Sequence, residues 1–316
     1  MSDTDGIVVS GVRRSFGDVH AVKNVTFEAR PGAVTALVGP NGSGKTTLLL
    51  MLATLIEPDA GSIRIAGHDP VTDPVSVRAL TGWMPDVLGS WASLTVRTTL
   101  QITARLYGMD ATRAAARADE LVRLIGLDDL ADRPTRVLSR GQKQRLSLAR
   151  ALVHDPSVLL LDEPASGLDP TARVELRVLV RRLAQEGRTV LVSSHVLAEL
   201  DELADTAVYI EGGASVSAER VASAATRARP WRIRALDPGS IAPALVASGV
   251  APESITADAT GILVPMTGEE HAAVVLAGLL QSGVAVTSFA PATGDLEHTF
   301  LDLQARPAEP GDGIRL

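Results

Sequence analysis

A glycine-rich run constrains this chain more than any other feature of its sequence, because it fits the phosphate-loop pattern G-x-x-x-x-G-K-[ST]. Its residues are Gly39, Pro40, Asn41, Gly42, Ser43, Gly44, Lys45, Thr46 and Thr47. The run stands between an apolar segment, residues 34–38, which predicts a buried strand, and residues 47–52, which predict a helix. Strand, glycine loop and helix are the context that this motif requires, so a chance match is disfavoured.

The run has the chemistry of an anion site. Its glycines allow backbone N–H groups to turn inward around a phosphate, and the N-terminus of the following helix adds partial positive charge there. In loops of this kind the lysine, here Lys45, reaches the β- and γ-phosphates of a nucleotide, and the hydroxyl of Thr46 binds Mg²⁺. We therefore predict a nucleoside triphosphate and Mg²⁺ as ligands.

Length, charge and composition limit the remaining alternatives. The 316 residues are enough for about two domains. The net charge of −7 and the 3% aromatic content argue against nucleic acid as the main partner, because that partner favours a basic face and stacking rings. The absence of cysteine excludes disulfides and thiolate metal sites. The most apolar long segment, residues 272–286, is too short to span a bilayer, so a role at a membrane requires another chain to cross it.

The pattern of apolar residues predicts an α/β fold. Continuous apolar runs at residues 157–162 and 189–193 are typical of parallel strands buried on both faces. Their last residues lie at the sheet edge where open α/β folds bind ligands. Strands that alternate with helices through right-handed crossovers give a mostly parallel sheet. A segment of about residues 87–155, rich in Ala, Leu and Arg, predicts a helical subdomain inserted into this core.

The chain is expected to contain two domains joined by a linker. The nucleotide-binding domain is assigned to residues 1–219, and the linker to residues 220–230, which are rich in Ala and Arg and contain no clear strand. Residues 231–304 predict a small α+β domain with the order strand, helix, strand, strand, helix, strand. Residues 305–316, rich in proline and glycine, predict a disordered tail.

Three further motifs follow the glycine-rich run. They are Leu138-Ser139-Arg140-Gly141-Gln142, Leu159-Leu160-Leu161-Asp162-Glu163-Pro164 and Ser166-Gly167-Leu168-Asp169. With them, residues 5–215 resemble the ATP-binding subunit of an ATP-binding-cassette (ABC) transporter, in which the motifs are the signature loop, the Walker B strand and the D-loop. The resemblance implies ATP as the nucleotide. It also implies a P-loop NTPase (RecA-like) core with an antiparallel β subdomain and an inserted helical subdomain.

The signature loop has the local chemistry of a second anion site. Ser139 is an N-cap candidate, and Gly141 leaves backbone N–H groups open at the start of a helix. One phosphate does not require two such sites in one chain. In the family, two subunits pair head to tail, and the signature loop, here including Gln142, closes over ATP held by the partner. Arg140 stands where the family usually has glycine, and three interpretations stay open: a solvated side chain, a charge near the γ-phosphate, or a contact with the membrane subunit.

The Walker B strand ends in two acidic residues. The resemblance implies that Asp162 holds Mg²⁺ through water and that Glu163 orients and deprotonates the attacking water. Solvated turn residues are the alternative for an isolated Asp-Glu pair, but the apolar strand directs both toward the ligand edge. His195 follows the next apolar run and matches the family's switch histidine, so we expect it to contact the γ-phosphate rather than to serve the structure alone.

Three other positions have open alternatives. Phe16 matches the aromatic residue that stacks on adenine in the family, and a ring packed on the core is the alternative. Asp169 is expected to couple the two nucleotide sites through the D-loop, to cap the next helix, or to do both. Asp86 stands where the family usually has a glutamine that reaches Mg²⁺ and the attacking water. Its carboxylate suits a hard cation, and a plain surface residue is the alternative.

The complete prediction is the ATPase subunit of an ABC exporter, working as a homodimer or heterodimer beneath separate transmembrane permease subunits at the cytoplasmic face of the cell membrane. Residues 93–96 resemble the surface on which the membrane subunit docks, and residues 296–301 resemble a closing motif of drug, antibiotic or lipid exporters. A soluble ABC-type ATPase acting on ribosomes or DNA is the alternative, although the chain has one cassette and no basic arm. A GTPase is disfavoured because the guanine-reading motif Asn-Lys-x-Asp is absent, and the signature loop argues against both a GTPase and a kinase.

Overall fold

The computed structural model of the protein describes residues 6–87, 89 and 91–305. The chain divides into two compact units, Met1–Val216 and Ser217–Leu316. The disordered tail predicted at residues 305–316 lies outside the described residues, except for Ala305, which ends a helix. Within the part of the chain that the structure describes, no helix combines the length and the apolar character needed to cross a bilayer.

The first unit is built on a nine-stranded sheet. Its strands are β1 (Ile7–Phe16), β2 (Val19–Ala29), β3 (Val34–Val38), β4 (Ala60–Ile65), β5 (Thr81–Met84), β6 (Val158–Asp162), β7 (Thr189–Ser193), β8 (Thr206–Glu211) and β9 (Ala214–Ser215). Its helices are α1 (Lys45–Leu52), α2 (Pro74–Leu80), α3 (Val96–Leu106), α4 (Ala111–Leu124), α5 (Arg140–Ala151), α6 (Pro170–Gln185) and α7 (Leu197–Leu203). The strand order is β4-β1-β2-β9-β8-β3-β7-β6-β5. Antiparallel pairing joins β1 to β2 and β4, whereas β3, β5, β6, β7 and β8 pair in parallel.

The central strands are apolar from end to end because both of their faces are covered. Every residue of β3, β6 and β7 is buried. Parallel pairing aligns Asp162 of β6 with Ser193 of β7, and Leu37 of β3 with the same serine. The glycine-rich run after β3 therefore starts at the edge where Asp162 and Ser193 end their strands. The predicted α/β fold with a parallel core and an antiparallel region is confirmed.

Helices α3, α4 and α5 lie between β5 and β6, where the sequence predicts a helical subdomain. Each begins after a residue whose side chain accepts a hydrogen bond from a backbone N–H of the first turn, namely Thr95, Asp110 and Ser139. Helix α3 packs along α4, and both bury apolar residues at helical spacing, including Leu100 and Leu121. The cap at Ser139 makes α5 start at the signature loop.

The second unit contains a four-stranded antiparallel sheet in the order β11-β12-β10-β13. Its elements are α8 (Ala218–Ala225), β10 (Arg229–Ala235), α9 (Ile241–Ala247), β11 (Thr256–Asp258), β12 (Gly261–Met266), α10 (Gly268–Gln281), β13 (Val286–Pro291) and α11 (Asp295–Ala305). From β10 to β13 the order is strand, helix, strand, strand, helix, strand, as the sequence pattern predicts. Apolar side chains of β10, β12, α9 and α10 form its core, including Ile233, Val264, Leu245 and Leu279.

Residues 220–230, expected to form a linker, are mostly regular structure. Helix α8 ends at Ala225, and β10 begins at Arg229. Alanine and arginine are strong helix formers, and Ser217 caps α8, so the absence of a strand pattern indicated a helix rather than a linker. Arg227 then forms an ion pair with Asp302, which fastens the end of α8 to α11. The apolar residues 284–286 predict a strand in the sequence, but β13 begins only at Val286.

Candidate functional site

The glycine-rich run forms a loop between β3 and α1 whose backbone requires glycine. Gly42 and Gly44 have φ angles of 79° and 100°, in the left-handed region that residues with side chains rarely adopt. A Cβ atom at Gly44 would lie 2.4 Å from the carbonyl oxygen of Ala21. The loop therefore touches the backbone of β2 at this point, and only glycine permits the contact.

Two polar side chains of this loop fit a phosphate ligand. Nζ of Lys45 donates hydrogen bonds to the carbonyl oxygens of Gly39 over 2.7 Å and of Pro40 over 3.0 Å. Oγ of Ser43 is buried and has no hydrogen-bond partner among the described residues. Burial lowers the pKa of Lys45, whereas two neighbouring carboxylates raise it. A partly buried ammonium group and an unpartnered hydroxyl, in a loop with an open helix N-terminus, are suited to bind phosphate oxygens.

Asp162 is buried at the end of β6 and is hydrogen-bonded to the neighbouring strand. Oγ of Ser193 donates to Oδ1 of Asp162 over 2.5 Å. Burial raises the pKa of this carboxyl group above its ordinary value, and the Ser193 hydrogen bond opposes that shift. The bond fixes the orientation of the carboxylate at the ligand edge. Ser193 was not among the residues predicted from the sequence, although its position at the end of the adjacent apolar run was a usable signal.

Glu163 follows β6 in an unfavourable backbone conformation, with a φ angle of 52°. Its N–H donates to the carbonyl oxygen of Ser193 over 3.1 Å, and its carbonyl oxygen accepts from Nε2 of Gln144 over 2.8 Å. Nδ1 of His195 lies 2.7 Å from Oε2 of Glu163, a hydrogen bond that a protonated Nδ1 donates to the carboxylate. Burial raises the pKa of Glu163, and His195 opposes the shift. A fixed carboxyl group with a raised pKa at a ligand edge is a candidate general base.

His195 therefore meets the predicted base in this structure. Its side chain is 60% exposed, so the ring is also accessible to solvent. The contact with the γ-phosphate that the family resemblance implies stays a prediction.

Of the residues predicted to bind Mg²⁺, Asp86 lies near Asp162 at the ligand edge. Asp86 is exposed after β5. Burial is the main cause of the raised pKa of Asp162 and of Glu163, and the charge of Asp86 adds to both shifts, so Asp86 lies near the acidic pair. In the described part of the chain, no group of three or more His, Cys, Asp or Glu side chains is arranged to hold a metal ion. Mg²⁺ commonly uses one or two carboxylates together with waters and phosphate oxygens. The Asp162 carboxylate and the Thr46 hydroxyl fit that donor set, in which the nucleotide supplies phosphate oxygens.

The signature loop lies in a separate hollow of the first unit. Oγ of Ser139 accepts from the N–H of Gln142, and Oε1 of Gln142 accepts from the N–H of Ser139, which is a reciprocal cap at the start of α5. A hollow of about 320 Å³ is lined by Ser139, Gly141, Gln142 and Asp169, with other residues of the helical subdomain and α6, and by no residue of the phosphate loop. The structure thus brings together four of the predicted nucleotide-contacting residues, but not with the phosphate loop of the same chain.

The structure shows specific hydrogen bonds for Asp169 and Arg140, whose roles the sequence leaves open. Oδ1 of Asp169 accepts from the N–H of Ala172 over 2.9 Å, so Asp169 caps α6, and this hydrogen bond lowers its pKa. Its coupling of two nucleotide sites stays a prediction. Nη2 of Arg140 donates to Oγ of Ser166 over 2.7 Å. Arg140 therefore contacts the D-loop of its own chain, an interaction that the sequence did not suggest.

Phe16 ends β1 with its ring 47% exposed, so the ring is not packed into the core. The guanidinium of Arg14 lies 4.8 Å from the ring centroid and forms an ion pair with Asp59. The turn after Phe16 leads into β2, whose Ala21 touches Gly44 of the phosphate loop. An exposed ring on a hairpin that contacts the phosphate loop is suited to stack on a base.

Comparisons with known proteins place these features in a family. The chain matches a family model described as ABC transporter over residues 22–166. It is 33% identical to the daunorubicin/doxorubicin resistance ATP-binding protein DrrA of Streptomyces peucetius, over 97% of this chain and 94% of that protein. It is 40% identical to the daunorubicin resistance ATP-binding protein DrrA3 of Streptomyces coeruleorubidus, over 67% of this chain and 67% of that protein. A solved dimeric ABC transporter cassette shares 25% identity at a TM-score of 0.61, over 67% of this chain and 97% of the cassette.

Proposed function

This chain belongs to the ABC transporter family of ATP-binding proteins, and from that premise we propose that it powers an exporter of the drug, antibiotic or lipid type. It is the ATP-hydrolysing subunit, and it works as a dimer beneath separate membrane subunits at the cytoplasmic face of the membrane. Two relatives are named as ATP-binding proteins of daunorubicin resistance, and the similarity to one of them extends over both units of the chain.

The observation that carries this proposal is the separation of two anion sites on one chain. The phosphate loop and the acidic residues share one sheet edge, whereas Ser139 and Gly141 line a hollow that includes no residue of that loop. Each set of groups is half of a nucleotide site. A head-to-tail pair, whether of two identical or two related subunits, completes both halves at once, and ATP is then the ligand that joins the two chains.

The groups at the sheet edge divide the work of hydrolysis. The loop N–H groups and Lys45 bind the phosphates. Asp162 and Thr46 would hold Mg²⁺, which would supply positive charge to the phosphate oxygens when bound. Glu163 accepts a proton from the attacking water, and its raised pKa makes its carboxylate a stronger base than an ordinary glutamate. His195 orients that carboxylate through the 2.7 Å contact of Nδ1 with Oε2.

The proposed docking surface for the membrane subunits is formed by Trp91, Tyr107, Arg150 and His154. The two aromatic residues are 45% and 43% exposed. The guanidinium of Arg150 lies 5.5 Å from the ring centroid of Trp91, and the ring of Tyr107 stacks on His154 at 3.8 Å. Aromatic residues and arginine are enriched where proteins associate. The segment from Asp86 through residues 93–96 is also the one whose sequence resembles the docking region of the family.

Fractionation and co-purification test the proposal. The tagged chain should co-purify from membranes with a multi-span protein, and Trp91→Ala combined with Tyr107→Ala should release it. Val274→Ala, which alters an exposed apolar residue of the second unit, is the matched control and should leave membrane association intact. Co-sedimentation of the wild-type chain with ribosomes or DNA, and not with membranes, would support the soluble alternative and overturn the exporter assignment.

A further inference from the structure

Two side chains of helix α5 form hydrogen bonds with the loop that follows β6, residues 163–167. Nε2 of Gln144 donates to the carbonyl oxygen of Glu163 over 2.8 Å, and Nη2 of Arg140 donates to Oγ of Ser166 over 2.7 Å. Gln144 is 2% exposed, so its amide is withdrawn from solvent and its hydrogen bond is not exchanged readily for water. Both donors lie in the first two turns of the helix that begins at the signature loop.

The contacted loop has little freedom to move independently of α5. Glu163 and Gly167 have φ angles of 52° and 75°, so both ends of the loop have left-handed backbone conformations. A Cβ atom at Gly167 would lie 2.5 Å from Cδ of Arg140, which shows how closely the arginine side chain lies on the loop backbone. A Cβ atom at Gly141 would lie 3.3 Å from a methyl carbon of Leu168. A shift of α5 would therefore move the loop with it.

The side chain of Arg140 is directed to the D-loop and not to the anion hollow. Arg140 is absent from the residues that line the hollow around Ser139, and its guanidinium instead meets Ser166. A glycine at this position, as the family usually has, would make no such hydrogen bond. Arg140 thus gives this chain a link between its signature loop and its D-loop that the glycine lacks.

We propose that Arg140 and Gln144 are positioning residues that connect the signature loop to the catalytic glutamate of the same chain. The inference rests on the proposed head-to-tail dimer, in which Ser139 and Gly141 meet nucleotide bound by the partner. Engagement of that nucleotide fixes α5, and α5 in turn fixes the backbone of Glu163 and the side chain of Ser166. Each subunit then reaches full activity at its own phosphate loop only when its signature loop is engaged at the other site. In this chain, the hydrogen bonds of Arg140 and Gln144 carry that link between the signature loop and Glu163.

A double-mutant cycle on the full-length chain tests the link at its exposed end, where substitution does not open the core. The variants are Arg140→Ala, Ser166→Ala and the double variant, with steady-state ATPase kinetics in Mg-ATP as the measurement. Each single variant should lower kcat by about 3- to 10-fold, which is the effect of losing roughly one hydrogen bond in the transition state. KM should change less than about twofold, the Hill coefficient should fall toward 1, and the double variant should resemble the single ones because one contact is removed in all three. Arg140→Lys keeps the charge and a donor, and should recover part of kcat.

Lys143→Ala is the matched control, because it removes a positive charge from the same first turns of α5 without touching the D-loop contact. It should keep the wild-type kcat and Hill coefficient. Gln144→Ala should lower kcat further than Arg140→Ala. Since Gln144 is buried, its variant is interpreted only if its thermal unfolding resembles that of the wild type; the Arg140 and Ser166 variants decide the question if it does not.

Two outcomes would overturn the inference. One is wild-type kcat and Hill coefficient in Arg140→Ala and Ser166→Ala; the other is fully additive effects in the double variant. A wild-type chain that neither hydrolyses ATP nor dimerises with it would instead contradict the proposed function, so the two failures are distinguishable.

Discussion

Nδ1 of His195 lies 2.7 Å from Oε2 of Glu163, so a residue two positions after the end of β7 holds the side chain that directly follows β6. The histidine is mostly exposed, whereas the glutamate is mostly buried. The group predicted to meet the γ-phosphate is thus in direct contact with the predicted base. A phosphate that draws the imidazole toward itself would change the hydrogen bonding of the base at the same moment, which couples nucleotide binding to the readiness of Glu163.

Replacement of the base should separate binding from hydrolysis. Glu163→Gln keeps the hydrogen-bonding shape of the side chain but removes its ability to take a proton. We expect Mg-ATP binding to persist, turnover to fall by about 100-fold or more, and a stable dimer to accumulate with Mg-ATP. Phosphate-release assays and light scattering measure the two effects. Turnover within a few-fold of the wild type, or a variant that stays monomeric in saturating Mg-ATP, would contradict the assignment.

Ser139 caps α5 and Ser217 caps α8, so a comparison of their variants separates the role of Ser139 in the signature loop from its role in helix stability. Ser139→Ala and Ser217→Ala each remove a side chain that accepts a hydrogen bond from a backbone N–H at a helix start. Each should lower the free energy of unfolding of its own unit by about 1 kcal/mol. Only Ser139→Ala should also lower ATPase activity and ATP-driven dimerisation, because only this serine lines the hollow. Equal activity loss in both variants would reduce the role of Ser139 to helix stability.

The buried carboxyl group of Glu163 should make the nucleotide-free protein less stable as the pH rises. Burial raises its folded-state pKa above the ordinary value of 4.5. Between these two values the folded protein binds more protons than the unfolded chain, so the free energy of unfolding falls as pH increases through that window. Above the folded-state pKa, the buried carboxylate of Glu163 is fully ionised and lowers the free energy of unfolding by its full amount. Glu163→Gln has no carboxylate at this position and therefore avoids this loss.

Urea unfolding between pH 5 and pH 8 measures this effect, with Glu57→Gln as the control at an exposed glutamate of the same unit. The midpoint of Glu163→Gln should exceed that of the wild type, and the difference should widen with pH until it levels off. Glu57→Gln should follow the wild type throughout. A pH-independent difference, or a Glu163→Gln variant less stable than wild type at pH 7, would show that the carboxyl group is not destabilised by burial.

Asp86 should influence the base through its charge. Burial is the main cause of the raised pKa of Glu163, and the Asp86 carboxylate adds a smaller part, so Asp86→Gln should lower that pKa slightly and shift the acid limb of the kcat profile a little to lower pH. A steady-state pH series with saturating Mg-ATP measures the shift. An acid limb that stays in place would indicate that Asp86 is screened from the site by solvent, as its exposure permits.

The exposed ring of Phe16 should contribute to nucleotide affinity. Phe16→Ala should weaken ATP binding by about tenfold, within the range of base–aromatic stacking, and Phe16→Tyr should keep it. Val19→Ala, at the other exposed apolar residue of the same turn, should leave the dissociation constant unchanged. Equilibrium binding of a fluorescent ATP analogue to the monomer measures all three. Unchanged affinity in Phe16→Ala would assign the ring to packing with Arg14.

Much of the fold could be predicted because its signals are local. The continuous apolar runs of β3, β6 and β7, and the strand and helix order of the second unit from β10 to β13, could be recognised from the sequence pattern. The prediction of a linker at residues 220–230 was wrong. It relied on the lack of a strand pattern there, although the alanine and arginine residues of this segment favour a helix, which is α8. The start of β13 was misplaced by two residues, since an apolar valine can end a loop as well as begin a strand.

The sequence by itself determined the parts whose chemistry lies within a few neighbouring residues: the glycine loop, the cap of α5 at Ser139, and the order of strands and helices. Only the tertiary structure decided which distant groups meet. Gln144 and Glu163 are 19 residues apart, Arg140 and Ser166 are 26 apart, and Ser193 and Asp162 are 31 apart. Such pairs depend on strand register and on how α5 lies against the sheet edge. The pattern of apolar residues in the sequence predicts neither of them. The local patterns therefore identify the nucleotide-binding parts, and the packing of α5 and the register of β6 with β7 decide how those parts act on one another.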